Sequence, residues 1–151
     1  MLRTRLTDAL KTAMKDKNTK STATLRLIIA ALKDRDIAAR SKGEKATISD
    51  NEVLGLLQSM IKQRRESISL YEQGGRMELA QQEAEEISVI EEFLPEQMSD
   101  DEMITIIESI ISESEAANLK DMGRVMSALK EHHTGSMDFS KASVLVKERL
   151  G

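Results

Sequence analysis

The chain has 151 residues, of which 40% are hydrophobic and 32% are charged, and its net charge is −4. The absence of cysteine excludes a disulfide framework, a thiolate metal site and a cysteine nucleophile. No apolar run approaches the roughly 18 residues of a membrane span, and the N-terminal residues lack the apolar core of a signal peptide. We therefore expect a cytoplasmic protein that does not enter a membrane.

Charge is distributed unevenly along the chain. Residues 1–76 carry 16 Lys and Arg against 9 Asp and Glu, whereas residues 77–115 carry 13 acidic residues and no basic one. Residues 116–151 carry 6 basic residues against 4 acidic ones. Two interpretations follow: the basic N-terminal half binds an anionic partner, or the acidic segment neutralises the basic helices within the chain.

Four helices are predicted before Pro95, the only proline. Apolar residues recur at the spacing of one helix face in each segment, and Pro95 ends the fourth helix because the preceding residue is pushed out of helical geometry. Ser49 and Glu52 have the spacing of a capping box at the start of the third helix, and Gly74–Gly75 marks its end. The apolar face of the first helix is predicted to comprise Leu2, Leu6, Leu10, Ala13 and Met14.

Three shorter helices are predicted after the proline. Ser99 and Glu102 have the spacing of a second capping box, and Asn118 and Asp138 are suited to cap the two helices that follow. No segment of strand-like length alternates with period two. Three short amphipathic helices together indicate a small bundle.

For the second of these helices, the sequence also predicts the surroundings of two residues. Leu119 is predicted on its buried face, and Gly123 is predicted to let a neighbouring helix approach closely, since glycine in a helix costs about 1 kcal/mol relative to alanine. The fold prediction is all-α: an N-terminal helical domain of about four helices, residues 1–95, followed by a small three-helix domain, residues 96–151.

The sequence contains few candidates for catalytic or metal-binding groups. His132 and His133 are adjacent and point about 100° apart on a helix, so they cannot bind one metal ion from one face. Their place at the end of a helix favours a structural role. The carboxylates of residues 77–115 fall on the outward faces of amphipathic helices. The sequence therefore nominates no catalytic residue, no metal site and no cofactor.

The basic residues are more informative. In the second helix, cations recur every seven residues opposite the apolar face, and such a row drifts only about 20° per heptad. In the third helix, Lys62 and Arg65 lie outside the buried face, while Arg64 lies nearer its flank, where the stem packs and the head reaches solvent. Lysine and arginine at helical spacing suit a phosphate backbone, and the scarcity of aromatic residues argues against base stacking. The N-terminal candidates are Arg26, Lys33, Arg40, Lys62, Arg64 and Arg65.

Three runs of the sequence carry a family resemblance. These are LRLIIAALKDRDIAAR at 25–40, IKQRRESISLYEQGGRMELAQQEAEEISVIEEFLPEQMS at 61–99 and DMGRVMSALK at 121–130. In this order they resemble the YqeY family, which shares its tail domain with the GatB subunit of the tRNA-dependent amidotransferase. The resemblance spans nearly the whole chain and implies an N-terminal helical domain joined to a GatB-tail-like three-helix domain.

The resemblance also implies a functional setting. In amidotransferases the tail domain helps to hold the tRNA, and similar domains occur fused to a glutaminyl-tRNA synthetase. The family label implies carbon–nitrogen ligase activity with glutamine as amido donor, yet the catalytic Ser/Ser/Lys machinery and the metal site of the amidotransferase have no counterpart in this sequence. The main hypothesis is a tRNA-binding accessory protein with an amidotransferase subunit or an aminoacyl-tRNA synthetase as a further partner. Its C-terminal contacts would be Lys120, Arg124, Lys130, Lys141, Lys147 and Arg149.

An alternative hypothesis is a protein–protein adaptor. The acidic helix before Pro95 would dock a basic partner, such as a synthetase, through complementary charge.

Overall fold

The computed structural model describes residues 1–43 and 47–151. Within these ranges the chain forms seven α-helices, one 3₁₀ helix and no strand, which confirms the all-α prediction. The α-helices are α1 (Leu2–Lys15), α2 (Thr19–Ser41), α3 (Asp50–Gln73), α4 (Met77–Glu91), α5 (Asp100–Glu113), α6 (Met122–His133) and α7 (Phe139–Leu150). The 3₁₀ helix (Leu119–Asp121) directly precedes α6.

Both ends of α3 form as the sequence predicts. The Ser49 hydroxyl accepts a hydrogen bond from the backbone N–H of Glu52 at 3.2 Å, and the Glu52 carboxylate accepts the N–H of Ser49 at 3.4 Å. These bonds satisfy two donors that a helix start leaves without partners. At the other end Gly75 has a φ of +72°, a conformation that only glycine adopts without strain.

The later caps are also local. The Ser99 hydroxyl accepts the N–H of Glu102 at 3.2 Å, which is the first half of the predicted capping box. Asn118 accepts the N–H of Lys120 at 3.0 Å, and Asp138 accepts the N–H of Ser140 at 2.9 Å. Asn118 therefore caps the 3₁₀ helix that leads into α6, and Asp138 caps α7.

The chain divides into two compact units, Met1–Leu94 and Pro95–Gly151. In the first unit α3 packs mainly against α4, α1 against α2, and α2 against α4. Each helix contributes a completely buried side chain to the core, and these are Leu6, Ile28, Leu57 and Ile90. Burying a side chain of this size is worth about 1.5–3 kcal/mol, so the apolar stripes hold the four helices together.

One residue of the predicted core face of α1 is misplaced. Met14 is 50% exposed, whereas Ala13 is buried. Consecutive helical residues are rotated by about 100°, so Met14 in the last turn lies off the face that Ala13 extends. The prediction for Met14 was wrong for this reason.

The second unit has its own core of apolar side chains from three helices. Its buried members are Met103, Ile107, Val125, Leu129, Met137, Ala142, Val146 and Leu150. Leu119 is 48% exposed, contrary to prediction, because it lies in the 3₁₀ helix and not on the buried face of α6. The Gln97 amide donates to the carbonyl oxygens of Pro95 and Gly135 at 2.9 and 2.7 Å, which ties the segment after the proline to the α6–α7 turn.

A buried ion pair in the first unit was not predicted. Asp36 of α2 is 5% exposed and accepts two hydrogen bonds from the guanidinium of Arg3, at 2.6 and 2.9 Å. It also accepts the N–H of Ile48 at 2.9 Å, while Arg3 donates to the Ile48 carbonyl at 3.1 Å. The hydrogen bonds from Arg3 hold the pKa of Asp36 below its ordinary value. This cluster joins α1, α2 and the segment that enters α3.

Candidate nucleic-acid interface

The outward face of α2 carries the predicted row of cations. Arg26 and Lys33 are exposed and form no ion pair within residues 1–43 and 47–151. Seven residues of helix separate them by about 10 Å along the axis. Arg40 continues the row at the end of α2, where it is exposed and also interacts within the chain. Both Arg26 and Lys33 therefore remain available to an anionic partner.

The side chain of Arg64 on α3 is largely shielded from solvent, contrary to the prediction that its head reaches solvent. Its side chain is 13% exposed and lies against two carboxylates of α4, Glu86 at 3.2 Å and Glu83 at 3.9 Å. Its guanidinium also donates to the carbonyl of Met60 at 3.2 Å. Burial raises the pKa of Glu83, and the adjacent Glu86 raises it further. Arg64 thus joins α3 to α4, which corrects its assignment as an outward contact.

The other two candidates on α3 are exposed but engaged. Arg65 lies 3.6 Å from Glu91 of α4, and Lys62 interacts with other groups of the chain. On the opposite side of α4, Glu85 pairs with Lys20 of α2 at 2.9 Å. Helix α4 therefore supplies carboxylates to cations of both α2 and α3.

These contacts bear on whether the acidic segment neutralises the basic helices within the chain. At least seven of the 13 carboxylates between residues 77 and 115 lie within 4 Å of a lysine or arginine nitrogen. The acidic segment neutralises part of the basic helices within the chain. Helix α4 consequently presents fewer unpaired carboxylates to a basic partner than its sequence suggests.

Five of the six lysines and arginines of the second unit fall into two groups. Lys141 and Arg149 of α7 pair with carboxylates of α5, namely Asp100 at 3.5 Å and Glu108 at 3.2 Å, so they help to hold α7 against α5. Three others are exposed and form no ion pair with any residue that the structure describes. These are Lys120, Lys130 and Lys147.

Arg124 lies beside an open face of α6. It is exposed, and its one ion pair among the described residues is with Asp121 one turn earlier, at 3.0 Å. A methyl group on Gly123 would meet no atom of a neighbouring element within 4 Å in the part of the chain that the structure describes, so the predicted close helix approach at this glycine was wrong. Gly123, Ser127 and Lys130 are all exposed at the i, i+4, i+7 spacing of one face. The small residues leave the helix backbone uncovered between Arg124 and Lys130, a feature that this spacing could have revealed.

The described residues contain no group of three or more His, Cys, Asp and Glu side chains arranged to hold a metal ion. His132 and His133 lie at the end of α6 with ring centroids 6.4 Å apart, in edge contact. Within residues 1–43 and 47–151, no helix has the length and apolar character needed to cross a bilayer.

Comparison with known proteins gives the family. A family model described as Yqey-like protein matches residues 3–150. A protein of Schizosaccharomyces pombe, described as uncharacterized, is 29% identical over 99 residues, which cover 66% of this chain and 73% of the relative. Its description brings no function with it. Because the family model covers nearly the whole sequence, this chain belongs to the YqeY family.

Proposed function

We propose that this protein binds tRNA and acts as an accessory of tRNA-dependent amidation, holding the nucleic acid without supplying the catalytic groups. The observation that carries this proposal is the open, basic face of α6 in the second unit. Membership of the YqeY family supports it, since the family resemblance implies a tail domain shared with the GatB subunit of the tRNA-dependent amidotransferase.

The geometry of this face suits a phosphate backbone. Gly123 and Ser127 project little beyond the helix, so a phosphate can approach the backbone between Arg124 and Lys130. Lys120 adds a third exposed cation just before α6. Each lysine or arginine that neutralises a phosphate releases condensed counterions, which drives binding at low salt.

Helix α2 supplies a second set of contacts in this proposal. Arg26 and Lys33 stand about 10 Å apart and can reach separate phosphates. With two phenylalanines and one tyrosine in the chain, base stacking contributes little, so recognition rests on the shape and backbone of the RNA. We expect binding without base specificity.

A filter-binding titration of total tRNA across a salt series tests the proposal. Each phosphate contact contributes about 0.9 to the slope of log K against log salt, so Arg124→Ala with Lys130→Ala should reduce its magnitude by about 2. The matched control is Lys11→Ala with Lys15→Ala, two exposed cations of α1, which removes the same charge elsewhere. Failure of the wild-type protein to retain tRNA at micromolar concentration and low salt would refute the proposal, as would equal effects of the two double variants.

The accessory role is tested separately from binding. Purified protein with mischarged tRNA, glutamine and ATP should show no glutaminase or amidation activity above background. Turnover by the protein alone would replace the accessory role with that of a carbon–nitrogen ligase.

A further inference from the structure

The outward face of α2 has a second regularity besides its cations. Exposed residues follow one another at alternating intervals of four and three, which is the spacing of a helix seam that packs against another helix. Two of them are large apolar side chains, Leu27 at 48% and Ile37 at 57% exposure. The complete seam is Ala23, Leu27, Ala30, Asp34, Ile37 and Ser41.

The cations of α2 border this seam on one side. Arg26 and Lys33 directly precede the seam residues Leu27 and Asp34, and Arg40 directly precedes Ser41. They therefore occupy equivalent positions one heptad apart, the positions that set partner choice by charge in paired helices. Because Arg26 and Lys33 form no ion pair among the described residues, their charge is left for a partner.

We propose that this face of α2 docks an acidic amphipathic helix of a partner protein. The partner helix carries apolar residues at the same alternating spacing and Glu or Asp at its flanking positions. Asp34 interrupts the apolar seam, and a polar residue at one seam position fixes the register of paired helices. A basic or amide side chain of the partner therefore faces Asp34.

The pattern on α2 differs from that on the other helices. Leu70 of α3 and Val144 of α7 are each the one large apolar side chain exposed on their helix within the described residues. Single exposed apolar residues are normal on protein surfaces, whereas a row flanked by like charges indicates an interaction face. Phosphates gain nothing from Leu27 and Ile37, so the seam favours a protein helix over RNA.

A synthetic peptide can test this chemistry directly. The probe is a fluorescein-labelled helix of about 21 residues, three heptads, with asparagine at the seam position that faces Asp34, leucine at the other seam positions and glutamate at the flanking positions. A second peptide has lysine in place of every glutamate. We expect saturable binding of the acidic peptide by fluorescence anisotropy, weakened by added salt, and no binding of the basic one.

The decisive variant is Leu27→Ser with Ile37→Ser, since both residues are exposed and their change leaves the core intact. Affinity for the acidic peptide should fall about tenfold or more, equivalent to 1.4 kcal/mol or above. Leu70→Ser with Val144→Ser is the matched control and should leave the affinity unchanged. Equal binding of both peptides, or binding unaffected by Leu27→Ser with Ile37→Ser, would overturn the proposal.

Two further measurements separate this site from other occupants. Retention of tRNA should be the same for wild type and for Leu27→Ser with Ile37→Ser, because the phosphate contacts proposed for α2 are Arg26 and Lys33 and not the seam. Loss of tRNA binding in this variant would assign the seam itself to RNA instead. Sedimentation of the protein alone should show no self-association that the variant abolishes; if it did, the face would belong to a second copy of this chain. Failure of tRNA binding through α6 would leave the peptide result unaffected.

Discussion

Helices α2 and α3 both carry basic residues that the sequence marks as candidate contacts, yet these residues differ in whether they pair with carboxylates of the chain. Arg64 and Arg65 of α3 meet carboxylates of α4, whereas Arg26 and Lys33 of α2 form no ion pair in the described part of the chain. The sequence marked all four residues as candidate contacts from their positions on a helix alone. The neighbouring helix, and not the spacing, therefore decides whether a cation stabilises the fold or remains available to a partner.

The largest effect is expected where α2 itself directs a charge inward. Asp36→Asn removes the negative charge that faces Arg3 and should destabilise the protein by about 3 kcal/mol, since breaking a buried pair leaves its partner uncompensated. Urea unfolding at pH 7 measures this change. Asp34→Asn, at an exposed position of the same helix, is the control and should change stability by less than about 0.5 kcal/mol.

Acid should reduce the difference between Asp36→Asn and wild type. Arg3 holds the pKa of Asp36 below its ordinary value near 3.8, so the carboxylate contributes stability above that value. This contribution is lost as the pH falls through the lower pKa of the folded state. A difference in unfolding free energy that stayed constant into the acid range would contradict the role assigned to this pair.

On α3 the comparison can be made between neighbouring arginines. Arg64→Ala leaves Glu83 and Glu86 without their partner in a largely buried position and should cost about 2 kcal/mol at pH 7. Arg65→Ala removes an exposed pair with Glu91 and should cost less than about 1 kcal/mol. Equal losses in urea unfolding would mean that burial does not distinguish the two arginines.

The pH dependence sharpens the Arg64 test. Burial already raises the pKa of Glu83, so ionising it opposes folding, and removal of Arg64 should raise this pKa further. The deficit of Arg64→Ala should therefore grow as the pH rises through the pKa of Glu83 and shrink when the carboxyl is protonated. A deficit independent of pH would indicate that lost packing of the arginine stem dominates.

The sequence predicted what depends on local pattern and missed what depends on distant contacts. The seven α-helices of the described residues, and most of their caps, follow from apolar periodicity and from residues such as Ser49 and Asp138, whose partners lie two or three residues away. The pairing of Arg64 with Glu86 and of Arg3 with Asp36 joins residues 22 and 33 apart, and no local rule selects these partners. Periodicity alone therefore could not predict which candidate cations pair within the chain and which remain available to a partner.

A smaller effect is expected on the open face of α6. Gly123→Ala should stabilise the protein by about 1 kcal/mol, since alanine favours a helix and the added methyl group meets no neighbouring element among the described residues. Gly75→Ala is the contrasting change and should destabilise by about 1 kcal/mol, because its φ of +72° strains any residue with a Cβ. Thermal unfolding measures both. A loss of stability in Gly123→Ala would show that this glycine serves the fold after all.

The smallest effect on stability is expected from the outward cations of α2. Arg26→Ala with Lys33→Ala should change the free energy of unfolding by less than about 0.5 kcal/mol, since neither side chain has an ion-pair partner among the described residues. The same variant should weaken tRNA retention, most at low salt, because two phosphate contacts are lost. Arg65→Ala, which removes a cation already beside Glu91, should weaken retention less per charge. If the α2 variant unfolded more easily than Arg65→Ala while its tRNA retention stayed intact, the assignment of outward and inward charges to α2 and α3 would have to be reversed.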